Sequence, residues 1–320
     1  VCVIPDLVAY RFPLFRARRE LVDVIYFPTG GGKTEAYLSA VVFQMFFDRL
    51  MGKRSGVTAI TRFPLRLLSL QQIQRIADIF GAAEKIRRAH DVIGKPSYDP
   101  FSTGYFVGET NTPNWLYKPA FQGEGGIDVL SSLSSDPDRG ERFKIIDKCP
   151  FCDTAGIDVI PDQRTVRIKL VCRSCHEELP VFLSDDEIYR YLPTFVIGTL
   201  DKMASAGWRL HFRHLFGQVT HRCPDHGYLS GGRCMYSGLN NICKRTQSEY
   251  VPVSLEDATP SIIVQDEMHL VRESLGCYDS HYETFLDQLE LSITGGAKRP
   301  KIIAATATIS RTAASASSAS

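Results

Sequence analysis

Residues 27–34 read Phe-Pro-Thr-Gly-Gly-Gly-Lys-Thr, and a segment of that kind leaves a chain few ways to fold. An apolar run, 21–27, reads as a buried strand before it, and a helix-like run, 35–50, follows. Glycines let the backbone turn tightly enough to aim successive N–H groups at one anion, and the helix N-terminus adds its dipole. The pattern predicts a phosphate-binding loop built from Thr29, Gly30, Gly31, Gly32, Lys33, Thr34 and Glu35. Lys33 would reach the outer phosphates of a nucleotide, and the Thr34 hydroxyl would ligate Mg²⁺. Phe27 stands where the full motif, G-x-x-x-x-G-K-[ST], has its first glycine.

A second segment complements the first. Residues 261–264 (SIIV) form a short β-branched run, as in a strand buried in a parallel sheet. Gln265-Asp266-Glu267-Met268-His269 follows at once. Two adjacent carboxylates at the end of a buried strand are costly unless they meet a cation. In an open α/β sheet, ligands gather at the carboxyl ends of the strands. Asp266 is therefore expected on Mg²⁺, through water, and Glu267 is expected to orient or deprotonate an attacking water. An isolated acidic loop would explain Asp266 and Glu267 without chemistry. A lysine-bearing glycine loop elsewhere in the chain makes the paired reading the better one.

Lys33 and Asp266 are about 230 positions apart, more than a typical whole domain of about 100–150 residues. Something is inserted between them, and cysteines mark it. Cys149-Pro-Phe-Cys152 and Cys172-Arg-Ser-Cys175 are two C-x-x-C knuckles, spaced as in a four-thiolate zinc site. The turn-like Pro161-Asp162-Gln163-Arg164 lies between two strand-like runs, so a hairpin would bring the knuckles together as a zinc ribbon. A second cluster holds His221, Cys223, His226, Cys234 and Cys243. Cys223, His226, Cys234 and Cys243 are the expected Zn²⁺ ligands there, with His221 as the alternative. Both sites read as structural. Nine cysteines beside a nucleotide loop suit metal binding in a reducing, cytoplasmic setting.

Bulk composition narrows the rest. Net charge is +1, so no global basicity advertises a nucleic-acid partner. Apolar runs fall short of the roughly 20 residues that a membrane span needs, and no signal peptide is evident at the start. Residues 65–89 read as a long amphipathic helix, 98–117 as loop-rich with a strand end near 106–109, and 121–142 as a mobile loop. Basic groups cluster at Arg16-Arg18-Arg19, Arg49-Lys53-Arg54, Arg62-Arg66 and Lys85-Arg87-Arg88, most of them expected on solvated faces.

The Asp266-Glu267-Met268-His269 sequence after a strand resembles the DExH signature of superfamily 2 helicases and translocases. Other segments then align in order. Residues 57–61 with RFPLRLL resemble the family's first DNA-contact element, which implies phosphate contacts by Arg62 and Arg66. A strand-to-helix turn would present both side chain and helix dipole to a phosphate there. TFVIGTLDKMA (194–204) is similar to the second such element, which implies a contact by Thr199. KIIAATATI (301–309) resembles the S/T-A-T coupling motif, in which Thr306 and Thr308, with His269, sense the nucleotide. The wording FPTGGGKTEAY, the LRLL-x-x-QQ run and the cysteine clusters resemble, more narrowly, the helicase subunits of DISARM anti-phage systems.

The resemblance implies an α/β fold, a RecA-like P-loop NTPase parallel sheet with inserted zinc-binding modules. The divisions expected are a first core part (1–148), a zinc ribbon (149–180), a core segment (181–220), a second zinc module (221–248), a closing core part (249–311) and a low-complexity tail (312–320). It implies ATP hydrolysis on DNA, with ATP, Mg²⁺ and two Zn²⁺ as cofactors. It also implies a second RecA-like domain, with no counterpart after residue 309, and a DUF1998-containing subunit as partner. The rival reading is a zinc-dependent DNA- or protein-binding scaffold with a vestigial nucleotide site.

Overall fold

Short runs of Val, Ile and Phe flanked by helices call for strands buried on both faces. The computed structural model describes residues 7, 21–28, 31–64, 66–108, 112–120, 125–204, 209–237, 242–257, 259–271, 273–295 and 298–307, with the side chains of 66–71, 137, 204 and 273–279 left aside. Seven parallel strands make the central sheet: β1 (Asp23–Tyr26), β2 (Ala59–Phe63), β3 (Thr103–Phe106), β4 (Val181–Phe182), β5 (Phe195–Thr199), β6 (Ile262–Gln265) and β7 (Lys301–Thr306). Their spatial order is β1-β7-β6-β2-β5-β3-β4. The register sets Tyr26 beside Thr306, Gln265 beside Arg62, and Arg62 beside Gly198. The carboxyl ends of β1, β7, β6, β2 and β5 therefore lie level along one edge, where parallel-sheet proteins place their ligands.

Strand alternation divides the core between the two faces. Ala59, Phe195, Ile197, Ile262 and Val264 pack under α1 (Lys33–Leu50) and α2 (Arg66–Ala89). Ile60, Val196 and Ile263 pack on the other side with Tyr282 and Leu286 of the late helix 273–294. This is the expected α/β parallel sheet with cysteine-rich insertions. The insertions are an antiparallel hairpin, Ile157–Asp162 with Arg167–Cys172, and a three-stranded sheet centred on His221–Cys223. Further α-helices among the described residues are α3 (Val129–Ser135), α4 (Asp185–Tyr191), α5 (Leu200–Ala204) and α6 (Glu273–Thr294).

Several expectations need correction. The strand before the glycine loop sits at the sheet edge, with Val24 and Tyr26 exposed, not in the buried centre. Residues 103–106 form a full sheet strand inside the supposedly loop-rich stretch. Most of the supposed mobile loop is α3 and a 3-10 turn, Pro137–Phe143, capped where the Asp128 carboxylate accepts from the Ser131 N–H. Arg49 and Lys53 are buried, their cationic groups donating to carbonyls of Lys53 and of Val57 and Thr259. Among the described residues, no helix is long and apolar enough to cross a membrane.

Candidate functional site

The glycine loop turns because it has no side chains to obstruct it. A Cβ on Gly31 would stand 2.9 Å from the Pro28 carbonyl oxygen, and Gly32 has φ +83°, a left-handed conformation that L side chains resist. Gly32 is the N-cap of α1 and, lacking a side chain, makes no cap hydrogen bond to the first-turn N–H groups. Lys33, the first helical residue, extends to the far strand. Its Nζ lies 3.0 Å from Asp266 Oδ1 and 2.5 Å from Glu267 Oε1. The two segments, distant in sequence, meet in one ion-pair cluster.

Each carboxylate is fixed by its own partners. The Asp266 N–H donates to the Arg62 carbonyl, which pins the strand end. Asp266 Oδ1 also accepts the Glu267 N–H at 2.8 Å, and Oδ2 accepts the Tyr37 hydroxyl at 2.9 Å. Burial, and next the Asp266 charge, hold the Tyr37 phenol well above its ordinary pKa. Glu267 takes φ +48°, a strained backbone of the kind that clusters at working sites. His269 Nδ1 lies 3.1 Å from Thr306 Oγ1 and 3.3 Å from Glu267 Oε2, joining β7 to the acidic pair. One ammonium against two carboxylates leaves a net negative charge, which suits a divalent cation. Lys33 supplies the positive charge in this arrangement, and would have to release Glu267 to reach a phosphate.

Other expected residues fall less neatly. Thr34 is buried beside Tyr37. Glu35 points outward to Arg75 of α2 at 2.9 Å, at a half-exposed surface. Thr29, Gly30 and Thr308 lie outside the described residues, as does the Arg66 side chain. Arg62 is 2% exposed; its Nη2 donates to Glu283 at 2.9 Å, and its guanidinium stacks over Tyr282. Thr199 is wholly buried, with its hydroxyl unpartnered among the described residues. Neither presents a side chain to an outside phosphate. Both end interior strands over which α6 and α5 pack, and the strand-to-helix pattern in the sequence does not show that cover.

The cysteines converge as two groups of four, and within each group the ligand atoms all lie within 4.8 Å of one another. In the first, Cys149 and Cys175 sulfurs are 3.7 Å apart, and those of Cys152 and Cys172 3.6 Å. A tetrahedral ion with Zn–S of about 2.3 Å requires sulfurs about 3.8 Å apart. In the second, Cys223 is 3.9 Å from Cys243 and 3.6 Å from His226 Nδ1, where a mixed N/S site requires about 3.6 Å to nitrogen. Electrostatics agree: the hydrogen bond with Cys234 lowers the Cys223 thiol to about 4 and drives the Cys234 thiol up. The thiols thus divide protons where an ion would let all of them ionise. The residues fit Zn²⁺ in both places. His221 is outside the second group, its Nδ1 held by the Thr220 hydroxyl at 2.9 Å. Cys277 is among the residues whose side chains are left aside, and Cys2 lies outside the described residues.

One helix ties both cysteine groups to the sheet, and no sequence motif announces it. α4 carries Asp185, Asp186, Glu187 and Arg190, every one buried. Arg190 donates to the carbonyls of Thr165 and Val166 in the hairpin turn and of His226 in the second group. Asp186 accepts the Tyr236 hydroxyl, and Glu187 accepts the N–H of Ile168 at 3.0 Å. Burial pushes the Glu187 carboxyl up to about 6. Lys202 of α5, three residues after Thr199, reaches Asp185 at 2.7 Å.

No known protein-family model matches the chain. It is similar to DISARM protein DrmA of Bacillus paralicheniformis, with 35% identity over 322 residues, spanning 91% of this chain and 27% of that protein. The chain thus covers about a quarter of the length of the relative it matches.

Proposed function

We propose, on the strength of that similarity and of the ion-pair cluster, that this chain is an ATP-hydrolysing motor domain of a superfamily 2 helicase or translocase. It would act on DNA in DISARM-type defence against phage. The observation that carries the reading is the convergence of Lys33 with Asp266 and Glu267 at the carboxyl edge of a parallel sheet. The donor set fits a magnesium nucleotide: an ammonium, two carboxylates, a buried threonine hydroxyl and a helix N-terminus that begins at a glycine.

Bound Mg²⁺-ATP supplies an activated terminal phosphoryl group, and the chain positions it and stabilises charge. Lys33 exchanges its carboxylate partners for phosphate oxygens. Asp266, anchored at both oxygens, keeps its orientation and holds the cation side. Glu267, freed from Lys33, accepts a proton from the attacking water or orients it. His269, bridging Glu267 and Thr306, links the acidic pair to β7. A second RecA-like domain would complete the cleft, and a DUF1998-containing subunit is the proposed partner. The two zinc groups serve structure, held to the sheet through α4. With Arg62 and Thr199 enclosed, Arg66 remains the proposed phosphate contact.

The test is ATPase activity of the full-length protein with and without single- and double-stranded DNA. A severalfold DNA stimulation is expected. Unstimulated or absent hydrolysis, with DNA binding intact in Lys33→Ala, would favour a zinc-bearing scaffold instead.

A further inference from the structure

Tyr37 lies one turn into α1, three residues beyond Thr34, and is wholly buried. Its ring fills space beneath the sheet edge, which a phenylalanine would do equally well. Its hydroxyl is the unexplained part, because a buried polar atom is costly unless its bonds are used. The hydroxyl has one proton to give, and gives it to Asp266 Oδ2 at 2.9 Å. Asp266 Oδ1 is meanwhile taken by the Glu267 N–H and Lys33.

We propose that Tyr37 is a positioning residue for the divalent cation, holding Asp266 in place through the hydrogen bond from its hydroxyl to Oδ2. The inference rests on the nucleotide-site reading above. The phenol proton is committed to Oδ2, while the Glu267 N–H and Lys33 hold Oδ1, so the carboxylate is fixed at both oxygens before a cation arrives.

The experiment is a Mg²⁺ titration of fluorescent ATP-analogue binding to the full-length protein, comparing wild type, Tyr37→Phe, Asp266→Asn and the double variant. Tyr37→Phe should raise the Mg²⁺ half-saturation about tenfold, the scale of one hydrogen bond to a charged group. Nucleotide binding without Mg²⁺ should stay within about twofold, as a merely structural change would not separate the two. Tyr37→Phe should add little in the Asp266→Asn background, since the acceptor is already altered. An unchanged Mg²⁺ half-saturation in Tyr37→Phe, with wild type binding normally, would overturn the inference alone. Wild type that binds no nucleotide at any Mg²⁺ concentration would overturn the nucleotide-site reading itself.

Discussion

Arg190→Met is the change that best tests how the cysteine modules are held. The guanidinium is 2% exposed and lies over the rings of Tyr191 and Tyr236. It donates to three buried carbonyls at 3.2, 3.1 and 2.6 Å, and lies 3.5 Å from an Asp186 carboxylate oxygen. Methionine keeps the apolar stem and removes every one of those bonds. A buried acceptor left without its donor costs about 1–3 kcal/mol, and a buried carboxylate left without its cation about 3–5 kcal/mol. The losses share one site and will not add in full, so about 4 kcal/mol is expected. Spread over a chain of this size, that lowers the melting temperature by on the order of 8 °C. Two of the carbonyls belong to the hairpin turn and one to His226, so the damage should concentrate there. Zinc transfer to a chromogenic chelator should accelerate by about tenfold or more, each factor of ten being about 1.4 kcal/mol. Arg190→Lys should be intermediate, because one ammonium reaches Asp186 but not three diverging carbonyls. A melting temperature within about 2 °C of wild type, with unchanged zinc release, would refute the argument, since an Arg190 free of that burden would cost almost nothing to lose.

Elemental analysis should find about two zinc ions per chain, falling to about one in Cys172→Ser, and a value near zero would remove both metal centres. Lys53 is wholly buried against Asp48, Asp257, Lys298 and Arg49, and burial first, then Lys298, lower it to about 7. The unfolded chain then holds a proton that the folded one has released between about pH 7 and 10.5, so stability should rise with pH in that window. Denaturant titrations should show a gain of roughly 2 kcal/mol from about pH 7.5 to 9, flattened in Lys53→Met; equal slopes would contradict the burial argument. Gly32→Ala forces a Cβ into φ +83° and should destabilise the loop by about 1 kcal/mol, weakening nucleotide binding severalfold. Unaltered affinity would mean that the left-handed turn is not required.

Local patterns carried much of the architecture. Uninterrupted β-branched runs mark buried parallel strands, and they located β2, β5, β6 and β7 to within a residue or two, because nothing but burial on both faces explains such runs. The thiol spacings predicted both cysteine groups for an equally local reason: a chelate fixes ligand separation in sequence. Tertiary cover was not legible. Arg62 ends a strand as a DNA-contact residue should, yet α6 supplies Glu283 and Tyr282 to enclose it, from a segment about 220 positions away. At α4, the charged run Asp-Asp-Glu-Ile-Tyr-Arg gives no local sign of its burial. Its partners are carbonyls and a tyrosine from two other modules, and no periodicity encodes them. Tyr37 left a faint signal, a polar ring at a helix position whose neighbours Leu38 and Val41 are buried. Only the position of Asp266 shows what its hydroxyl is for.

The account stands on Lys33 and the paired carboxylates sharing one magnesium nucleotide. Steady-state hydrolysis and equilibrium ATP binding, measured on the same preparation of full-length Glu267→Gln protein, test this most directly. Turnover should fall by two orders of magnitude or more, the scale of a lost general base, while ATP binds as tightly as before or tighter, now that Lys33 has one carboxylate fewer to leave. Wild-type turnover in that variant would contradict the account, whatever the DNA substrate.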